Sequence, residues 1–195
     1  MTADSTKSVE PPVAGDEGNS SEVEQPRTCT DVSIEDERWL TIAEFSGLIP
    51  SLAGAALAGA GLAPEEHAVS IALMSDAEVR ALNKAFRGKD APTNVLSFPS
   101  APAIRSLKNR SGPVFLGDVA LAYETVTREA SEQDKPVLHH AAHLVVHGVL
   151  HLAGFDHETG LDAARMEAAE RQILGELGMP DPYGDDDTLS PSNAL

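Results

Sequence analysis

The sequence predicts an α+β domain: a small mixed β-sheet with several helices, the central one a metal-binding helix, flanked by acidic tails. Three observations predict it. β-like runs at 67–75, 93–98 and 114–121 alternate with segments of helical periodicity. Residues 136–157, PVLHHAAHLVVHGVLHLAGFDH, combine a helical apolar pattern with six of the seven histidines. The two ends of the chain are polar and acidic, with too few apolar side chains to pack.

Residues 1 to about 30 are rich in Ser, Glu, Pro, Gly and Thr and are expected to be disordered, because burial cannot offset their ordering entropy. Residues 31–179 then form a single domain, and 180–195 a solvated acidic tail. Within the domain, 39–60 reads as a helix from about Ser51 after an irregular or helical lead-in, interrupted by Gly47 and Pro50. In the strand at 67–75, Val69, Ile71 and Leu73 share one face.

Ser75 and Glu78 have the spacing of a capping box that opens a helix through about Phe86, with Val79, Leu82 and Phe86 as its buried stripe. A β-rich run at 93–98 lies between Pro92 and Pro99. A polar basic loop covers 101–112, followed by a strand at 114–121 and a helix at 123–132. Pro136 suits the first turn of the histidine helix, whose buried side takes Leu138, Ala142, Val145, Val146, Val149 and Leu152. A last amphipathic helix at 161–177 turns Met166, Ala169, Ile173, Leu174 and Leu177 inward and ends at Gly178 and Pro180.

The formal charge is −17, but residues 1–38 and 180–195 together account for −11. Between 79 and 117 the sign reverses. Arg80, Lys84, Arg87, Lys89, Arg105, Lys108 and Arg110 face only Asp90, a local charge of +6. Such a stretch is either a phosphate-binding face or a solvated surface. No apolar run approaches the ~20 residues of a membrane span. A single cysteine, Cys29, and an N-terminus without a basic-apolar leader predict a cytoplasmic protein.

His147, His151 and His157 have the spacing H-x3-H-x2-G-x2-H. Four residues apart on a helix, His147 and His151 point the same way, and a turn at Gly154 returns His157 to the same point. Three neutral imidazoles suit one Zn²⁺ per chain with a fourth position open, as in catalytic sites. His143, one turn earlier, is expected to pack beside the site. His139 and His140 are expected at the surface or first turn. The same spacing occurs in the H-E-x-x-H-x-x-G-x-x-H metalloproteases, but here Gly148 stands where their general-base Glu would be. The prediction is a metzincin-like His₃ site lacking the protease carboxylate.

The longer string HGVLHLAGFDH resembles the signature of the YbeY-type endoribonucleases, the bacterial rRNA maturation factors. The matching positions are His147, Gly148, Leu150, His151, Leu152, Gly154, Phe155, Asp156 and His157. FRGKDAPTNVLSFP at 86–99 and LGDVALAYETVTREA from Leu116 resemble two further blocks of that family, so the resemblance spans about 65–179.

The resemblance implies a metal-dependent, single-strand-specific endoribonuclease acting at the 3′ end of 16S rRNA and in ribosome quality control. Its partners would be RNA and the ribosome or ribosome-associated factors. It also implies that Arg87 matters for cleavage, since a guanidinium can grip phosphate oxygens and stabilise charge gathering on phosphorus. Asp90, Thr93, Asn94 and Ser97 are then expected to build the turn and strand that place Arg87. Asp156 either holds an imidazole N–H or caps the turn, and Asp118 is structural or supports the site. The nucleophile is an activated water or the substrate's 2′-OH. Two other readings fit the residues: a metallohydrolase such as a peptidase using Glu158 or Glu167 as base, or a ribosome-assembly protein with a structural metal.

Overall fold

A computed structural model of the chain describes residues 29–101 and 112–184. The expectations for 1–28, for the loop carrying Arg105, Lys108 and Arg110, and for 185–195 lie outside the described residues. Four strands form one mixed sheet in the order β1–β2–β4–β3. They are β1 (Cys29–Ile34), β2 (His67–Met74), β3 (Val95–Pro99) and β4 (Val114–Ala122). β1, β2 and β4 are parallel neighbours, and β3 closes the edge antiparallel to β4.

β1 is a correction to the expected N-terminal boundary, because Cys29 and Thr30 are strand residues. Thr30 pairs with Val69 and Val32 with Ile71. Ladder bonds and the partly buried Val32 supply what composition alone did not credit to CTDVSI.

The five α-helices of the described residues are α1 (Phe45–Gly59), α2 (Asp76–Arg87), α3 (Tyr123–Glu132), α4 (Val137–Leu152) and α5 (Gly160–Glu176), and a short 3-10 helix at Glu37–Thr41 precedes α1. α1 begins well before Ser51 and runs through Pro50. Phe45, Ile49, Leu52 and Leu57 are buried along it. At about 1.5–3 kcal/mol each, they outweigh the ~3 kcal/mol cost of an internal proline.

α2 opens with the expected capping box: Glu78 N–H donates to Ser75 Oγ at 3.4 Å, and Ser75 N–H to Glu78 Oε2 at 2.8 Å. Its buried face differs from expectation. Val79 and Asn83 are buried, whereas Phe86 is 71% exposed. The layer beneath α2 is a small cluster of Val79, Leu96, Ala120 and Ala122, and Phe86 lies past it, edge-on to Phe98.

The larger core lies on the other face of the sheet, where α4 packs against α1, α3, α5, β3 and β4. The predicted central helix is therefore the element around which the rest is packed. Gly148 explains how closely it approaches the sheet. A Cβ there would lie 2.6 Å from Val119 Cγ1 and 3.2 Å from Ser97 Oγ. Any larger side chain, the protease glutamate included, would push α4 off β4. Gly148→Ala should gain ~1 kcal/mol of helix propensity but lose about 1–3 kcal/mol to overpacking. A net destabilisation of about 1 kcal/mol is expected, read from the urea midpoint. A midpoint above wild type would show that the contact relaxes freely.

Candidate metal centre

α4 ends in a Schellman motif. Phe155 N–H bonds Leu150 O and Gly154 N–H bonds His151 O, both at 3.0 Å, with Gly154 at φ 98°. This reversal returns the chain over the last turn of α4, as the sequence implied. The ring of His157 stacks on His147 at 5.6 Å and meets His151 edge-on at 4.9 Å. One ligand atom from each of His147, His151 and His157 lies within 4.8 Å of the others.

The ring protons can be placed from the partners. Phe155 O, 3.0 Å from His151 Nδ1, can only accept, so that nitrogen donates. Glu170 Oε1 lies 2.8 Å from His147 Nδ1. Burial raises the Glu170 pKa, but hydrogen bonds from His143, His147 and Tyr183 overcome it and hold the carboxyl at about 2. The ionised carboxylate accepts, so His147 also carries its proton on Nδ1. In the neutral rings both Nε2 atoms then carry lone pairs, and they lie 3.1 Å apart. Two such lone pairs repel unless a cation lies between them. Tetrahedral Zn–N bonds would set ligand nitrogens ~3.4 Å apart. The residues fit a metal ion held by three imidazoles.

Glu170 was not anticipated. It is fully buried on α5, where it takes a place in the stripe formed by Met166, Ile173 and Leu174. A carboxylate on an apolar helix face was its one sequence signal. Its Oε2 accepts from His143 Nε2 at 3.0 Å and from the Tyr183 hydroxyl. His143, His147 and Glu170 also bring ligand atoms within 4.8 Å of one another. There, however, the nitrogens donate to the carboxylate, which orients the rings rather than presenting free lone pairs.

The structure chooses between the alternatives open for the other histidines and acids. His140 lies in the first turn of α4, one of the two places expected, and is buried against Glu129 Oε2 at 3.0 Å. Asp156 caps the turn by accepting from His157 N–H at 2.7 Å, while the imidazole proton of His151 goes to the Phe155 carbonyl. Asp118 lies on the sheet face away from α4 beside Ser70, and burial raises its pKa against that hydrogen bond. Glu158 lines the cleft, whereas Glu167 pairs with Arg171 at 3.5 Å.

The open side of the three histidines is a cleft of about 630 Å³ shared with Arg87, Asn94 and Ser97. Arg87 comes from the end of α2 to the edge strand, where Nη2 donates to Ser97 O at 3.3 Å. Ser97 Oγ donates to Gly148 O at 3.2 Å, so one residue ties Arg87 to the histidine helix. Asn94 is anchored to Glu129 Oε2 at 2.9 Å. Arg80 and Lys84 do not join Arg87 as a free basic stripe. Both grip Asp90, at 2.7 and 2.9 Å.

Burial holds His151 below the ordinary imidazole range, helped by the charge of His147 and opposed by the Phe155 carbonyl. Burial likewise lowers His140 against Glu129. A histidine depressed on folding binds protons better when unfolded. Its stability contribution is complete above 6.5 and is lost as the pH falls. Metal-free protein should therefore lose stability as the pH falls below 6.5, seen as falling urea midpoints. A midpoint that rises on acidification contradicts this. Glu170, depressed to about 2, withdraws its contribution only below 4.5.

Residues 32–178 match the endoribonuclease YbeY family. An endoribonuclease YbeY of Azorhizobium caulinodans is 51% identical over 154 residues, covering 78% of this chain and 94% of that protein. One from Bradyrhizobium diazoefficiens is 46% identical over 156 residues, covering 80% and 85%. The solution structure of TM1509 from Thermotoga maritima superposes on 80% of this chain and 99% of its own, with a TM-score of 0.47 and 21% identity. The chain belongs to the endoribonuclease YbeY family.

Proposed function

We infer that the protein is a zinc-dependent endoribonuclease that cuts single-stranded RNA. The observation that carries this reading is the convergence, in one cleft, of three imidazoles and the Arg87 guanidinium. His147, His151 and His157 would hold a zinc ion, which when bound would supply Lewis acidity to a phosphoryl oxygen or lower the pKa of a water. The residues do the rest. Glu170 and the Phe155 carbonyl hold the ring protons of His147 and His151 on Nδ1, so Nε2 of each is available as a ligand. Arg87 grips phosphate oxygens and neutralises charge as the phosphorus becomes five-coordinate. Ser97 fixes the distance between that guanidinium and α4.

Family membership supports RNA as the substrate. It also supports a role at the 3′ end of 16S rRNA and in ribosome quality control, in the cytoplasm, with the ribosome or its factors as partners. Among the described residues, no helix is long and apolar enough to cross a membrane. Glu158 in the cleft keeps a peptidase reading testable. Parallel assays on single-stranded RNA, duplex RNA and an unstructured peptide decide it. Cleavage of single-stranded RNA alone is expected, and peptide cleavage with intact RNA would overturn the reading.

A further inference from the structure

Residues 181–183, expected to belong to a solvated acidic tail from residue 180, pack against the domain, and the rest of that tail from 185 lies outside the described residues. Lys135, just before α4, donates from Nζ to Pro182 O at 2.6 Å. Arg171 lies 3.3 Å from Asp181 and stacks its guanidinium 4.6 Å from the Tyr183 ring. Pinned from both sides, Tyr183 sits edge-on to the His143 ring at 5.4 Å and donates its hydroxyl to Glu170 Oε2. Tyr183 lies past residue 178, where the family match ends.

We propose that Tyr183 is a positioning residue of the metal centre: its hydroxyl fixes the carboxylate whose other oxygen holds His147. The proposal rests on the reading of His147, His151 and His157 as metal ligands.

The physical case is a matter of donors. Glu170 is fully buried, so its two oxygens must find partners inside the protein. Oε1 takes His147, while Oε2 takes His143 and Tyr183. Without the hydroxyl, Oε2 keeps a single donor on a partly exposed imidazole. The carboxylate can then swing, and the His147 ring loses its fixed orientation. Partners of metal-bound imidazoles that lose such hydrogen bonds weaken metal binding by about 10–100-fold. A residue that only packs would do so through its ring, which phenylalanine retains.

Zinc affinity, measured by competition with a chromophoric chelator, tests this. Tyr183→Phe keeps the ring against His143 and Arg171 and should bind zinc about tenfold more weakly. Lys135→Met loosens the segment but leaves the hydroxyl, and should stay within about twofold of wild type. In a Glu170→Gln background, Tyr183→Phe should have no further effect, since both act through one carboxylate. Wild-type affinity in Tyr183→Phe overturns the proposal. So does an equal loss in Lys135→Met, or a full additional loss in the Glu170→Gln background. If His147→Ala titrates like wild type, the metal lies elsewhere, and the ligand assignment falls together with the proposal.

Discussion

Arg87→Ala is expected to keep its fold and its zinc yet cleave saturating single-stranded RNA about 100-fold more slowly in single turnover. Among the described residues, Arg87 makes one hydrogen bond, to Ser97 O, which holds it at the rim of the cleft. A guanidinium has five donors, so the others can meet phosphate oxygens where charge develops. A group that stabilises the transition state changes the saturated rate, whereas one that only holds the ground state changes affinity. Lys84→Ala is the control. Lys84 shares Asp90 with Arg80, so its loss removes one exposed charge and leaves that carboxylate paired. It should reduce the salt slope of RNA binding by about one and spare the saturated rate. Lys108, outside the described residues, is expected to behave likewise. If Arg87→Ala cleaves at the wild-type rate once saturated, Arg87 only positions RNA.

Alanine at His147, His151 or His157 is expected to abolish zinc binding, taking metal content from one per chain to near zero and RNA cleavage with it. Each removes one of three imidazoles that face a common point. His143→Ala should keep most of its zinc, because His143 donates to Glu170 and presents no lone pair to that point. The opposite pattern, with His143→Ala empty and His157→Ala loaded, would move the metal to the alternative group of His143, His147 and Glu170.

What the sequence disclosed follows from which forces are local. The capping box of α2, the turn at Gly154 and the helical spacing of His147 and His151 depend on residues a few positions apart, and each appears as read. β1 was missed because Asp31 and Ser33 mask a strand whose stability comes from pairing with β2, a partner distant in the chain. Gly148 was recognised as the missing base, but its physical reason, contact with Val119, needs the packing of α4 on β4. Phe86 fits a helical apolar stripe, yet the layer beneath α2 stops short of it. Tyr183 belongs to a polar tail by composition and is held by Arg171 on its ring and by Lys135 on the neighbouring Pro182 carbonyl, tertiary contacts without a local signature. Glu170 did have a signal, a charge within an apolar stripe.

In the proposed function, one metal held by three imidazoles cuts RNA in the cleft beside Arg87. The most direct test is single-stranded RNA cleavage by protein stripped with chelator, dialysed, and given back one equivalent of zinc. Stripped protein should be inactive. Added zinc should restore cleavage in wild type but not in His151→Ala or His157→Ala. Cleavage that survives stripping, or that zinc restores in His151→Ala, would show that a metal on these three histidines does not cut the RNA.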